Sequence, residues 1–162
     1  MHLLLFLRQI FVPAILDEGW SVYMWDMLSR SIHVLNPRSG PYGYNQGKKE
    51  RHDLIVSRLH DALFHCFSVF FASWPIKKDN WGTMYPRIVD TKLSRDESAF
   101  VSLQIIRYYD GDKLHLPLTK LNTSKMKCMA LHECMKLQGI ISTIVGDVLW
   151  NALAPADTFE DF

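Results

Sequence analysis

Cysteine is scarce in this chain. There are three in 162 residues, an odd number that cannot close a disulfide set. A chain of this length buries a core without covalent staples, so a reducing, intracellular setting, nucleus or cytoplasm, is the expectation. An excess of one charge sign is missing too. Eighteen lysines and arginines against seventeen acids leave a net charge of +1, no electrostatic footprint for nucleic acid, whose binding depends on many neutralised phosphates. Long apolar runs are also lacking. A membrane-crossing helix needs about 20 apolar residues and a secretory core roughly 7–15 behind a basic segment. The N-terminal stretch Leu3-Leu4-Leu5-Phe6-Leu7 has five. It is expected to be a buried first strand or helix end, with no membrane partner, and its abruptness predicts that the start of a larger domain is missing. With 48% hydrophobic and 22% charged residues, disorder and collagen-like repeats are excluded. No internal repeat or low-complexity segment interrupts the pattern. At about 150 residues per domain, residues 1–162 make one domain, with a tail from Pro155 to Phe162 that is expected to fray.

What is there reads as strands and helices in separate runs. Ile10 to Leu16 is a short apolar strand, with Pro13 placing it at an edge or bulge. Trp20 to Trp25 carries large residues at both parities, as a strand covered on both faces does. Leu28-Ser29-Arg30 turns the chain, and Ser31 to Leu35 returns as a hairpin partner. Asn36 to Gly43 is dense in turn formers. From Lys48 to Phe70 the period becomes helical: Leu54, Ile55, Leu59, Ala62, Leu63, Cys66, Phe67 and Phe70 lay one apolar stripe. Trp74-Pro75 ends it. Trp81 to Tyr85 is expected to be a third core strand. Ser94-Arg95-Asp96-Glu97 is an S-x-x-E capping box opening a second helix, with Gly111 as its stop. Thr123-Ser124 opens a third helix to about Leu137, and the apolar 140–153 predicts a final one. The fold class is therefore α+β.

These residues resemble a known family. Ile10-Phe11-Val12-Pro13, then Gly19-Trp20 opening a strand, then Val34-Leu35-Asn36-Pro37, then Arg95-Asp96-Glu97-Ser98-Ala99-Phe100-Val101 are similar in order and spacing to the catalytic half of the ubiquitin-like-protein-specific cysteine proteases, the SUMO proteases and their relatives. The likeness covers roughly residues 9–138. The loop and helix between the second and third motifs resemble the branch carried by plant mobile elements, where Trp74 and Trp81 have counterparts. The resemblance implies a papain-like core, with a small mixed sheet packed against helices, and a peptidase that cuts modifiers after Gly-Gly without a cofactor.

In that family a strand begins His-Trp, the next ends in Asp, and a Gln precedes the Asp-Cys-Gly that starts the central helix. A cysteine protease needs a thiolate, an imidazole to move its proton, a group to orient that imidazole, and donors for the oxyanion. Carried over position by position, the His falls on Gly19, the Asp on Asn36 and the Cys on Glu97. The Gln falls near Asp90 or Thr91. An amide oxygen can still orient an imidazole, but Gly19 has none to orient, and Glu97 is a carboxylate where sulfur is needed. The implication is a degenerate copy without catalysis. Glu97 does suit a helix N-terminus, where negative charge is favoured by roughly 0.3–1 kcal/mol.

A rebuilt site elsewhere finds little support. Cys66 follows His65 but lies on the predicted inward stripe, as a buried inert thiol. Cys128 and His132 share a helix face at i, i+4, yet with Cys134 well around the helix no metal set is complete. His33 has no thiol partner that can be placed near it. His52 and His60 are assigned to a solvated helix face, and Lys77-Lys78 and Lys125-Met126-Lys127 to the solvated surface. Trp20 is assigned to packing within the sheet, although the family's Trp beside the His clamps a Gly-Gly tail, so the C-terminal tail of a ubiquitin-like modifier is the candidate partner. The alternatives are an active thiol hydrolase using one of the three cysteines and a non-catalytic interaction or structural remnant.

Overall fold

The computed structural model describes residues 8–71, 74–88, 93–115, 124–125 and 127–132. Two compact units divide the chain, Met1–His115 and Leu116–Phe162. In the second, residues 124–125 and 127–132 are helical, where the third helix is expected. Its remainder, the helix over 140–153, Cys134 and the C-terminal tail lie outside the described residues, as do residues 1–7.

The first unit is built on a four-stranded mixed sheet in the order β1-β2-β3-β4. Strands β1 (Gln9–Leu16), β2 (Gly19–Asp26) and β3 (Ser31–Leu35) are antiparallel neighbours, and β4 (Gly82–Met84) joins β3 in parallel. Helix α1 (Gln46–Phe70) forms the crossover between β3 and β4, and α2 (Arg95–Tyr108) follows. The unit is α+β. Pro13 sits in an edge strand, where a missing ladder donor costs least.

The sheet is covered on both faces, and the period-2 alternation of β2 and β3 says by what. Tyr23 and Trp25, opposite Val34 and Ile32, pack with Val56, Phe64 and Phe67 of α1 in one buried cluster. The opposite parity, Val22, Met24, His33 and Leu35, is equally buried and faces α2, whose Val101 and Ile105 are fully buried.

Two expectations are corrected here. The segment Trp81–Tyr85 does not form a core strand: β4 has three residues, all exposed, at the sheet edge. Gly82 supplies no side chain to bury, and only half-buried Trp81 and Tyr85 at its flanks reach the core cluster. On α1 the inward stripe runs through His52, Val56, Phe64 and Phe67. Leu54 and Phe70 are exposed, and so is Cys66, which is no buried thiol. Ile55, Leu59, Leu63 and Phe67 of the expected stripe do pack in or against the core cluster, but apolar residues on both sides of the helix widened that stripe to include the exposed Leu54, Cys66 and Phe70.

Candidate functional site

At the end of the sheet where β1 turns into β2, Asp17 and Glu18 form a two-residue hairpin turn between Leu16 and its ladder partner Gly19. Gly19 carries φ +133°, a backbone conformation that side chains rarely adopt. A Cβ there would stand 2.5 Å from the Ser98 hydroxyl and 3.2 Å from Arg38 Cδ. The first turn of α2 therefore presses on the start of β2, across 78 residues of sequence. Ser98 is fully buried. Its Oγ accepts the Trp20 backbone N–H at 2.9 Å and donates to the Arg95 carbonyl at 2.5 Å. Arg38 ties the corner together, donating to the carbonyls of Glu18 and Leu93.

Glu97, one residue before Ser98, caps its own helix. Its carboxylate accepts the Ser94 backbone N–H at 2.8 Å while Ser94 Oγ accepts the Glu97 N–H at 3.2 Å, a complete capping box. The sequence predicts the box, and the next residue, Ser98, is the one that meets Gly19.

Asn36 and Gly19 do line one cavity, of about 290 Å³, together with Lys48, Arg51 and His52 of α1. His52 is the residue the sequence reading missed: it is 4% exposed, not solvated. Its Nδ1 lies 2.8 Å from the Tyr23 hydroxyl and its Nε2 lies 3.2 Å from Asn36 Nδ2. The protons follow from the partners. Asn36 Oδ1 accepts the Arg38 backbone N–H at 2.8 Å, which turns the amide's NH₂ toward His52. Nε2 is then an acceptor, and Nδ1–H donates to Tyr23 Oη. Burial holds the imidazole below its ordinary pKa. A neutral ring with both nitrogens engaged is a structural tie between α1 and the sheet and has no capacity left as a base. The clue in the sequence was spacing, since His52 stands four residues before Val56 on the buried stripe.

His60 is half-buried, with both ring nitrogens bonded. Its Nδ1 accepts Trp25 Nε1–H at 3.1 Å and its Nε2–H donates to the Lys78 carbonyl at 2.9 Å, which fixes its tautomer. Lys78 itself pairs with Asp61 at 2.6 Å. His33 sits on β3 three positions before Asn36, about 10 Å away at roughly 3.3 Å per residue, and bonds to Ser31 and Tyr109 instead. Trp20 is half-buried and lines an open cavity of about 490 Å³ with Arg95, Asp96, Ala99 and Phe100 of α2.

No thiol of the described residues of the first unit enters the corner. Cys66 is 14 positions along α1 from His52, about 20 Å at about 1.5 Å per residue. Cys128 and His132 belong to the second unit, and Asp90 and Thr91 lie outside the described residues. Among the described residues no group of three or more His, Cys, Asp or Glu side chains can hold a metal ion, and no helix is long and apolar enough to cross a membrane. No protein-family model, curated protein or solved structure matches this chain.

Proposed function

We propose that this chain is a degenerate ubiquitin-like-protein-specific protease with a papain-like core, inactive as a peptidase, whose remaining role is to hold a modifier's C-terminal tail against Trp20. The carrying observation is the contact between Gly19 and Ser98. In the proposed register the family's Asp-Cys-Gly falls on Asp96-Glu97-Ser98, so its base and its nucleophile fall on two segments that touch in this fold. Neither segment bears the chemistry. Gly19 has no side chain, Glu97 caps its own helix, and His52, the imidazole beside Asn36, has both nitrogens occupied. The open cavity beside Trp20 supports a binding role, since a narrow Gly-Gly tail needs an aromatic wall and little else.

The test uses a ubiquitin-like modifier ending in Gly-Gly fused to a fluorogenic amide. No turnover is expected, and a Gly-Gly tail peptide should shift the Trp20 indole resonance in an NMR titration. Turnover that cysteine alkylation abolishes would restore the thiol-hydrolase reading. A Trp20 resonance unmoved by the peptide would leave a non-binding remnant.

A further inference from the structure

At the other end of β3 a second constellation has no part in the reading above. Ser29 Oγ lies 2.6 Å from Ser31 Oγ, Ser31 Oγ lies 2.8 Å from His33 Nε2, and His33 Nδ1 lies 2.9 Å from the Tyr109 hydroxyl. Ser31 and His33 are two apart on one strand, so their side chains share a face, and Tyr109 comes from the C-terminal cap of α2. Ser29, Ser31 and His33 line an open cavity of about 530 Å³. We infer that Ser31 and His33 form a nucleophile–base pair, positioned by Tyr109, for hydrolysis of small acyl esters whose leaving group carries positive charge.

The chain of hydrogen bonds can run with His33 Nδ1–H donating to Tyr109, which leaves Nε2 to accept the Ser31 proton. That is the arrangement a serine nucleophile requires. Burial keeps the His33 imidazole below its ordinary pKa, so it is a neutral acceptor at neutral pH. Asp26, paired with Ser31 across the ladder, opposes that shift, so its charge favours the imidazolium formed as the proton arrives. Ser31 Oγ bonds to the acyl carbon, its proton passes to His33 Nε2, and the leaving alcohol departs with that proton. Water, deprotonated by the same imidazole, then releases the acid and restores the hydroxyl. Three carboxylates line the cavity against one guanidinium, Arg8. The surplus negative charge selects a cationic leaving group, and Arg8 is the cation available to the oxyanion.

The experiment treats the full chain, its thiols first alkylated because Cys66 is exposed, with acetylthiocholine and with neutral ethyl thioacetate. Acetyl mass should appear on Ser31 by fragment mapping, at least about tenfold faster from the cationic probe. Ser31→Ala should abolish it, and His33→Gln should slow acylation at least about 100-fold, the lower range of general-base effects. Tyr109→Phe should lower kcat with KM held. A thermal melt establishes folding for each variant, and mapping on the unsubstituted chain decides the matter if one fails to fold. Acetyl mass absent from Ser31 with both probes, or confined to other residues, overturns the nucleophile. Faster reaction with the neutral probe overturns the substrate class.

Discussion

Two buried histidines adjoin β3, one at its middle and one just past its end, each 4% exposed, but they are held in different ways. His52, reached through Asn36 just past the strand's end, is fixed by an amide whose orientation the Arg38 backbone dictates. His33, at the middle of the strand, is held by hydroxyls that can donate or accept. Burial lowers both pKa values. Only the second has its acceptor nitrogen facing a hydroxyl, whereas the acceptor nitrogen of His52 faces the Asn36 amide. Burial alone therefore does not separate a structural histidine from a reactive one, whereas the donor inventory of its partners does.

The corner beside His52 is the easier to break. Gly19→Ala puts a methyl 2.5 Å from Ser98 Oγ at a φ of +133°. Overpacking costs about 1–3 kcal/mol and a strained backbone about 1–3 kcal/mol, so a loss of about 3 kcal/mol is expected in urea unfolding. Ser98→Gly removes the obstructing hydroxyl. Its own cost is about 1 kcal/mol for the lost Trp20 N–H partner, and in that background Gly19→Ala should cost at least about 1 kcal/mol less. An unchanged cost would show that the two residues are not in contact.

Acid should strain both sites together. Each histidine has a folded pKa below its unfolded value of about 6.5. The folded state then binds fewer protons than the unfolded one, so the associated stability is complete above pH 6.5 and is lost as pH falls through the folded values. The slope below pH 6.5 is at most about 1.4 kcal/mol per pH unit for each histidine. Unfolding free energies from pH 7.5 to 5 should therefore fall, and His33→Gln should remove part of that slope. A flat profile would falsify the neutral assignment of both rings.

Much of this architecture was legible from local chemistry. The hairpin of β2 and β3, the length of α1 and the Ser94–Glu97 cap follow from alternation, period and a four-residue signature, all of which act over short range. The failures were at contacts made across distance. His52 reads as solvated, and half-buried His60 as wholly so, because a histidine's place depends on whether Tyr23, Asn36 or Trp25 is there to satisfy it, and those partners come from other elements. Cys66 was turned inward by a stripe drawn too wide. At the site, Gly19 and Asn36 line one cavity, and the contact with Gly19 is made by Ser98, the residue after the Glu97 cap.

The His52 site can also be converted toward the His33 one. Asn36→Asp keeps an oxygen for the Arg38 N–H and replaces the amide donor facing His52 Nε2 with a carboxylate oxygen. That oxygen has no proton to give to a neutral ring, whereas it accepts one from an imidazolium, so the charged form gains a partner. The His52 pKa, followed by imidazole resonances against pH, should rise by one unit or more, equivalent to about 1.4 kcal/mol of differential interaction. The His33 value should not move. A rise at His33 alone, or none at either ring, would mean that Asn36 does not set the proton on His52.

The smallest effect bears on why a carboxylate stands at position 97. As a cap of α2, Glu97 contributes a backbone hydrogen bond and a favourable charge in the first turn. The charge is worth about 0.3–1 kcal/mol. Glu97→Gln keeps the reach to the Ser94 N–H and gives up the charge, so its loss at the cap is a few tenths of a kcal/mol, about 0.3 at the low end. Glu97→Cys gives up both, about 0.5–1 kcal/mol, and Ser94→Ala removes the other half of the box for about 1 kcal/mol. The order Gln, Cys, Ala in thermal unfolding is the signature of reciprocal capping. A cysteine variant as stable as the unsubstituted chain would break it, because the carboxylate would then contribute nothing to the helix that begins beside Gly19.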